Sequence, residues 1–485
     1  MSILRLLRRA APAAVALSLV AGCDSDDPAE PEPEVEFTDR SSTVALAKAG
    51  PQAPSGLEIY TLISSADDLA GSPGFTFGGS ADGAGLLKND DGTFTYVVNH
   101  EDNFAVSRVT FDATMAPRTG EYILTSDAGM WRLCSATLCT PRTHGFGPVY
   151  ITTGESGPES QIHRLDPYAP ANTSQIVQAF GAWSTENAVP LPQSAFAGKT
   201  VVLIGDDDSS QYGGQVALYV ADGVGNFEDG SLYVLARANG NVRERDMVVG
   251  QSYPVEFRKI EDHLSLAPNE FNPASQALGA MPFGRVEDLD YAKDGAGRAV
   301  YFNVTGQSDS GANADYSRTK YGRTYRLTLD AADPTRGRLE VLLDGDDRDG
   351  PAGQFQNPDN ILVTENYVYV QEDPNGYGDE THHAYIYQYD IRTGAVAVVM
   401  EIDRRTEPEF NRGSDGTSPT EPRFGDWEYG ALLDVSDVVG VPDTFVLNVQ
   451  PHTWRSPAFA GVDGGSLRAN ENQGSQTLLI RGLPR

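Results

Sequence analysis

Acidic and amide residues recur in this 485-residue chain at the ends of short apolar runs, a placement that suits hard-cation chemistry. Glu155 follows the apolar run at 149–151, Asp206 and Asp207 follow 201–204, and Glu372 and Asp373 follow 367–370. Further clusters are Asn99-His100-Glu101-Asp102, Gly284-Arg285-Val286-Glu287-Asp288, Asn357-Pro358-Asp359-Asn360, Asp426-Trp427-Glu428 and Asn448-Val449-Gln450-Pro451-His452. Almost every candidate ligand is oxygen. Arg285 and Glu287 stand two residues apart, so on a strand they share one face. The chain has seven His and neither an H-E-x-x-H nor a paired C-x-x-C spacing, which argues against a peptidase or structural zinc site. It also lacks a G-x-S-x-G elbow and a P-loop, so hydrolase-fold and NTPase readings fall away.

The elements that must position these residues are strands. From about residue 42 onward, period-two apolar alternation dominates, as in Phe94-Thr95-Tyr96-Val97-Val98 and Tyr367-Val368-Tyr369-Val370, with turn signals such as Asp90-Asp91-Gly92 between runs. A loose unit repeats: an apolar strand runs into acidic residues, a polar loop follows, and a second strand returns. Repeated hairpins over this length predict an all-β fold, a β-propeller of about six blades with loop insertions near 230–280 and 400–425. A sandwich or a two-domain β protein is the alternative. In a propeller, equivalent strand ends meet at one channel mouth, and like charges gathered there repel unless cations bind.

Formal charge is −32, from 36 Lys+Arg against 68 Asp+Glu. Such a chain repels phosphodiester backbones and anionic lipid headgroups, so nucleic acid is excluded as a partner and so is membrane binding through charge. With 40% hydrophobic residues, 50 Gly and 30 Pro, the composition is that of a folded, turn-rich protein. The acidic surplus has two readings, a solvated surface or cation ligands at strand ends.

Arg5, Arg8 and Arg9 precede a short apolar stretch that ends in Leu19-Val20-Ala21-Gly22-Cys23. This resembles a lipoprotein signal peptide over 1–23 with Cys23 as the lipidated residue, and residues 24–41 read as an acidic, Pro-rich tether to a domain over 42–485. The expected location is the bacterial cell envelope, with the membrane reached through the lipid anchor alone and the domain acting as a monomer. Which membrane, and which export route, the sequence leaves open. Cys134 and Cys139 then remain: they could close a small disulfide, or one could be a metal ligand.

Taken in order, these clusters resemble the PhoX family of bacterial alkaline phosphatases over roughly residues 80–455. The markers are Asn99-His100-Glu101; Cys134-Ser135-Ala136-Thr137; Glu155; Trp183-Ser184-Thr185-Glu186-Asn187-Ala188-Val189; Arg285-Val286-Glu287; Asn357-Pro358-Asp359-Asn360 with Glu372-Asp373; and Asn448-Val449-Gln450-Pro451-His452. The resemblance implies a six-bladed propeller with calcium and iron at the channel mouth, hydrolysing a small phosphorylated substrate. It implies Cys134, Glu155, Glu186, Glu287, Asp359, Glu372 and Asp373 as metal ligands, with Cys134 on iron. Arg285 and Glu287 would be catalytic, and Arg285 and His452 would meet the substrate. The chain departs from the family pattern at Thr140-Pro141-Arg142-Thr143-His144-Gly145, at Glu155-Ser156 where paired glutamates are usual, and in the extra Cys139. The lost carboxylate and Cys139 favour a second reading, a non-catalytic calcium-binding propeller lipoprotein; a propeller hydrolase of another substrate, such as phytate or a phosphodiester, is a third.

Overall fold

The computed structural model describes residues 34–129 and 131–485; Cys23 and the signal segment lie outside the described residues. Strands β1 (Ala47–Ala49) and β2 (Glu58–Ser64) come first. A four-stranded antiparallel meander follows, built from β3 (Ala81–Lys88), β4 (Phe94–His100), β5 (Ala105–Phe111) and β6 (Pro117–Leu124). The next sheet holds β7 (Leu133–Cys139), β8 (Val149–Gly154), β9 (Ile162–Leu165) and β10 (Gln175–Ile176). Then come β11 (Thr185–Pro190), β12 (Lys199–Asp206), β13 (Val216–Asp222), β14 (Ser231–Arg237) and β15 (Ser252–Lys259). They are followed by β16 (Val286–Tyr291), β17 (Ala299–Val304), β18 (Arg323–Leu329) and β19 (Arg336–Asp344). The last strands are β20 (Pro358–Val363), β21 (Tyr367–Glu372), β22 (Tyr385–Asp390), β23 (Val396–Ile402), β24 (Glu428–Asp434), β25 (Thr444–Gln450) and β26 (Gln476–Arg481).

Each run of strands is a hairpin ladder, and the ladders stand in a ring. Strand β3 touches β7, β7 touches β11, β11 touches β16, β16 touches β20, β20 touches β24, and β24 returns to β3. The fold is an all-β propeller, closed by its own N-terminus: β2 completes the sheet of β24–β26, and β1 adds a fifth strand outside β23. Closure of this kind removes the exposed sheet edge between first and last ladders.

In two places the chain differs from expectation. The ladders β11–β14 and β16–β19 share one nine-stranded sheet, because β15 pairs with both β14 and β19. Two strands, β14 and β15, therefore fall within the expected insertion at 230–280. The last residues of the expected tether also belong to the fold, since the Arg40 N–H donates to Thr61 O (2.7 Å) and Phe37 packs its ring on Tyr60.

Apolar side chains that alternate along the strands fill the space between ladders. Leu203, Leu218, Leu235, Phe302 and Leu327 form one buried cluster, and Tyr369, Ile386, Phe445 and Leu478 belong to another. Strands β4 and β25 are buried along their whole length, so their polar residues, Asn99 and Asn448 among them, must find partners inside the fold. Among the described residues no helix is long and apolar enough to cross a membrane.

Candidate metal centre at the channel mouth

All six innermost strands carry a register shift against their neighbours, and the shift falls at the same place in each ladder. It lies between Ala81 and Ala84, Leu133 and Ala136, Thr185 and Ala188, Val286 and Leu289, Pro358 and Ile361, and Tyr429 and Leu432. A bulge leaves residues out of the ladder and re-aims their side chains. The first residues inside these bulges are Asp82, Cys134, Glu186, Glu287, Asp359 and Gly430. Five of these six can ligate a metal. At the sixth, a Cβ on Gly430 would lie 2.4 Å from Ala81 O, so the backbone approach admits no side chain.

Two more rings of equivalent positions complete the mouth. The residue leading into each innermost ladder is Ser80, Arg132, Ser184, Arg285, Asn357 or Glu428. The residue leaving each second strand is Glu101, Glu155, Asp207, Thr305, Asp373 or Gln450. Three lead-in residues, Ser80, Arg285 and Asn357, hold φ of 49°, 70° and 70°. Non-glycine residues rarely adopt that region, and the same device at three equivalent positions marks the mouth as a place where strain is kept.

Side chains from these rings converge. Asp82, Glu101 and Cys134 bring ligand atoms within 4.8 Å of one another, as do Cys134, Glu155 and Glu186. Glu186, Glu287 and Asp359 do the same, and so do Asp359, Asp373 and Glu428. Shared members link the four groups into one constellation of eight carboxylates and a thiol. Cys134 Sγ lies 3.0 Å from Glu155 Oε2.

Burial dominates the electrostatics. It pushes Glu186 up to about 8, with Asp288 and Asp207 adding to the effect and a hydrogen bond from Ser135 opposing it. Asp82, Glu155, Glu287, Asp359 and Glu428 are all raised well above the carboxylate range, by burial first. Neighbouring carboxylates add to the rise in each case. The Cys134 thiol is raised likewise, first by burial and then by Glu155. Asp207 moves the other way: burial pushes it up, but Arg285, a hydrogen bond from Glu155 and the charge of Arg132 together hold it below the ordinary range. Buried like charges at this density are costly without compensation. An all-oxygen set with one soft thiolate fits hard cations together with one site for a softer metal.

Arg285 stands at the edge of the constellation. Its Nε and Nη2 donate to the two oxygens of Asp207 at 2.7 Å each, Nη1 donates to Asn375 Oδ1 at 2.5 Å, and Nη2 lies 3.3 Å from Glu287. Asp207 thus fixes the plane of the guanidinium. A cavity of about 480 Å³ opens beside it, with Glu155, Asn375 and Tyr377 among its walls.

Of the residues expected from sequence, Cys134, Glu155, Glu186, Glu287, Asp359 and Asp373 meet here, with Arg285 beside them. Glu372 does not. It points into its own ladder, accepting from the backbone N–H of Gln356 and of Tyr385 and from Tyr387 Oη, with His382 Nε2 at 3.0 Å. Strand alternation is the reason: Asp373 faces the mouth, so its neighbour faces away. Asp206 and Asp207 divide in the same manner, Asp206 accepting from the Ser184 N–H. His452 has both ring nitrogens engaged, with Gln473 Oε1 at 2.7 Å and Glu428 Oε1 at 2.8 Å. It positions Glu428 and does not present a free face to a substrate. Cys139 is buried among apolar groups that include Ile151 and Trp183, and both described cysteines are free thiols. The disulfide alternative is therefore not realised. Sequence reading passed over Asp82 altogether and left Glu101, Glu428 and the clamping role of Asp207 unassigned.

The chain matches no model of a known protein family and no curated protein sequence. Among solved structures it is similar to PhoX of Pseudomonas fluorescens, determined in complex with vanadate, a transition-state analogue. That likeness has a TM-score of 0.61 and 14% identity, and covers 90% of this chain and 97% of the other. An α-L-arabinofuranosidase of Fusarium graminearum gives a TM-score of 0.39 at 11% identity, covering 87% of this chain and 98% of that one. The GH74 xyloglucanase of Xanthomonas campestris gives 0.34 at 11% identity, covering 81% of this chain and 43% of that one. At these identities the comparisons speak to the propeller fold alone.

Proposed function

We propose that this protein is a metal-dependent phosphoric monoester hydrolase, a distant PhoX-like enzyme working at the channel mouth. The observation that carries the reading is the linked constellation of eight carboxylates and Cys134 with a clamped arginine on its edge. Calcium would be held by Glu186, Glu287, Asp359, Asp373 and Glu428, and iron by Cys134 with Glu155 and its other neighbours. When bound, such cations neutralise the carboxylates and act as Lewis acids toward a phosphoryl oxygen. The chain's own contribution is positional. Arg285 offers a planar fork to two phosphoryl oxygens, Asp207 and Asn375 hold that fork still, and His452 holds Glu428. The free, inward Cys134 favours this reading over a calcium-stapled propeller without activity.

Protein loaded with calcium and iron is expected to release phosphate from a generic monoester at alkaline pH and to lose the activity on chelation. Arg285→Ala and Glu287→Ala are each expected to lower kcat/KM by about a hundredfold or more, the order seen when a preorganised electrostatic group is removed. Full rate in both variants would sink the proposal. Cys134→Ser is expected to lower bound iron while leaving calcium nearly unchanged, read by elemental analysis. Equal iron in the variant would remove the thiolate from the site.

The Cys23 anchor and the envelope location belong to the same reading, as the place where an exported phosphatase meets its substrate. Mass spectrometry of the mature N-terminus tests both.

A further inference from the structure

We propose that Arg132 is a second guanidinium contacting the phosphoryl group, opposite in origin to Arg285 and built from the same position of another ladder. The inference rests on the phosphoester reading above. In the lead-in ring of six residues only Arg132 and Arg285 carry a positive charge; the others are Ser80, Ser184, Asn357 and Glu428. The ring position brings both arginines to the mouth; Arg285 holds a left-handed φ and Arg132 does not, so the direction of the second is read from its own contacts.

The contacts agree. The Arg132 N–H donates to Ser156 Oγ (3.0 Å), and its carbonyl accepts from the Glu155 N–H (2.8 Å). The backbone is therefore fixed beside a member of the constellation. The side chain reaches Glu101, with Nη1 at 3.1 Å from Oε1. Among the described residues Glu101 is its sole carboxylate partner, whereas Arg285 is shared between Asp207 and Glu287. The two arginines also differ in reach: the Arg132 side chain is 51% exposed and that of Arg285 is 21%. Arg132 keeps free N–H groups and the freedom to meet an incoming anion.

The chemistry of the substrate gives the second arginine its task. A phosphomonoester has three non-bridging oxygens, and one planar fork covers two. The fork of Arg285 is already pinned by Asp207 and Asn375. Glu101, the partner of Arg132, is also one of the ligand candidates grouped with Asp82 and Cys134. If Glu101 served as a ligand, its hold on Arg132 would weaken and the guanidinium would be free to turn toward the anion.

The test compares wild type, Arg132→Gln and Arg132→Lys, all metal-loaded, with melting temperature and elemental analysis confirming fold and metal content. Arg132→Gln is expected to raise KM for a generic monoester and the inhibition constant of inorganic phosphate by about tenfold, with a much smaller change in kcat. Arg132→Lys is expected to recover part of the loss. Inorganic phosphate binding is also measured by calorimetry, so the comparison stands whatever the turnover. An active wild type with unchanged KM and phosphate binding in Arg132→Gln overturns this inference and leaves the hydrolase reading intact. So does a variant that loses metal in place of phosphate affinity, since Arg132 would then only support Glu101. A wild type that binds phosphate without turnover overturns the hydrolase reading, and the binding comparison still decides Arg132. A metal-loaded wild type that neither hydrolyses esters nor binds phosphate overturns both.

Discussion

Removing calcium with a chelator is expected to lower the melting temperature of this protein far more at pH 8 than at pH 5, and restoring calcium should reverse the loss. The sign follows from the buried carboxylates. Glu186 is pushed up to about 8 and Asp288 to about 7, burial being the main cause in both, and Asp82, Glu155, Glu287, Asp359 and Glu428 move in the same direction. A carboxyl whose folded pKa lies above its unfolded value favours folding only while it is protonated. Its contribution is complete below the unfolded pKa of about 4.5 and is lost as pH rises toward the folded one. Without cations the losses of several groups add between pH 5 and 8, a fall on the order of 10 °C for a domain of this size. Bound calcium makes the ionised form the favoured one, so its stabilisation grows with pH over the same window. A chelated protein with a flat melting temperature from pH 5 to 8 would mean that the buried carboxyls do not titrate in this window, and one indifferent to calcium would mean that the constellation does not bind it.

The same groups reinterpret the net charge. Eight carboxylates of the acidic surplus stand at one mouth, where ligand atoms of each linked group lie within 4.8 Å of one another. A charge count treats them as a repulsive surface. With cations in place they would become the inner layer of a site that attracts an anion, which is how so acidic a chain would accommodate the proposed phosphate substrate.

Much of the fold was legible because period-two alternation and turn residues are local signals. The acids at strand ends were legible for the same reason, and Glu155, Asp207 and Asp373 do face the mouth. Which of two adjacent acids faces it was not. Glu372 and Asp373 differ only in parity, and parity depends on where pairing stops, a tertiary fact. Asp82 was missed because it stands in Ala81-Asp82-Gly83-Ala84 without another acidic or amide residue beside it. A signal did exist. Asp82-Gly83, Cys134-Ser135, Glu186-Asn187, Glu287-Asp288 and Asp359-Asn360 each put a ligand beside a small or short polar residue at the start of an apolar strand. Aligning the ladders on that pair, instead of on the strand-end acids, reveals the repeat. The bulge that gives the pair its meaning cannot be read from composition, because it is defined by the neighbouring strand.

Asn99→Ala is expected to destabilise the protein by several kcal/mol and to weaken metal binding, although Asn99 belongs to no ligand group. The argument starts from the bulges. A residue taken out of its ladder exposes a carbonyl that must find a donor elsewhere. In this fold the donor comes from the preceding ladder, always from the same place on its second strand. Asn99 Nδ2 donates to Cys134 O (2.5 Å), Thr153 Oγ1 to Glu186 O (2.5 Å), Asn303 Nδ2 to Asp359 O (2.8 Å) and Asn448 Nδ2 to Asp82 O (2.6 Å). Gln371 Nε2 donates to Gly430 O. The sixth position is Gly205, where a Cβ would lie 2.7 Å from Glu287 O. These bonds tie every ladder but one to the bulge of the next, and four of the five bulges so held carry a ligand side chain. Asn99 is also a hub: its Oδ1 accepts from Tyr150 Oη (2.9 Å) and Thr152 Oγ1 (3.0 Å). Truncation to Ala orphans the Cys134 carbonyl and the Thr152 hydroxyl in a fully buried place, at about 1–3 kcal/mol for each group left unpaired, while Tyr150 Oη keeps Gly83 O at 2.7 Å. Asn99→Asp keeps the acceptor but loses the donor and buries a charge, so it should be worse than Ala. Chemical denaturation with and without calcium reads both effects. If Asn99→Ala loses stability but binds calcium as wild type does, the ring only holds the fold together; if it loses both, the ring that closes the propeller is also what aims its ligands.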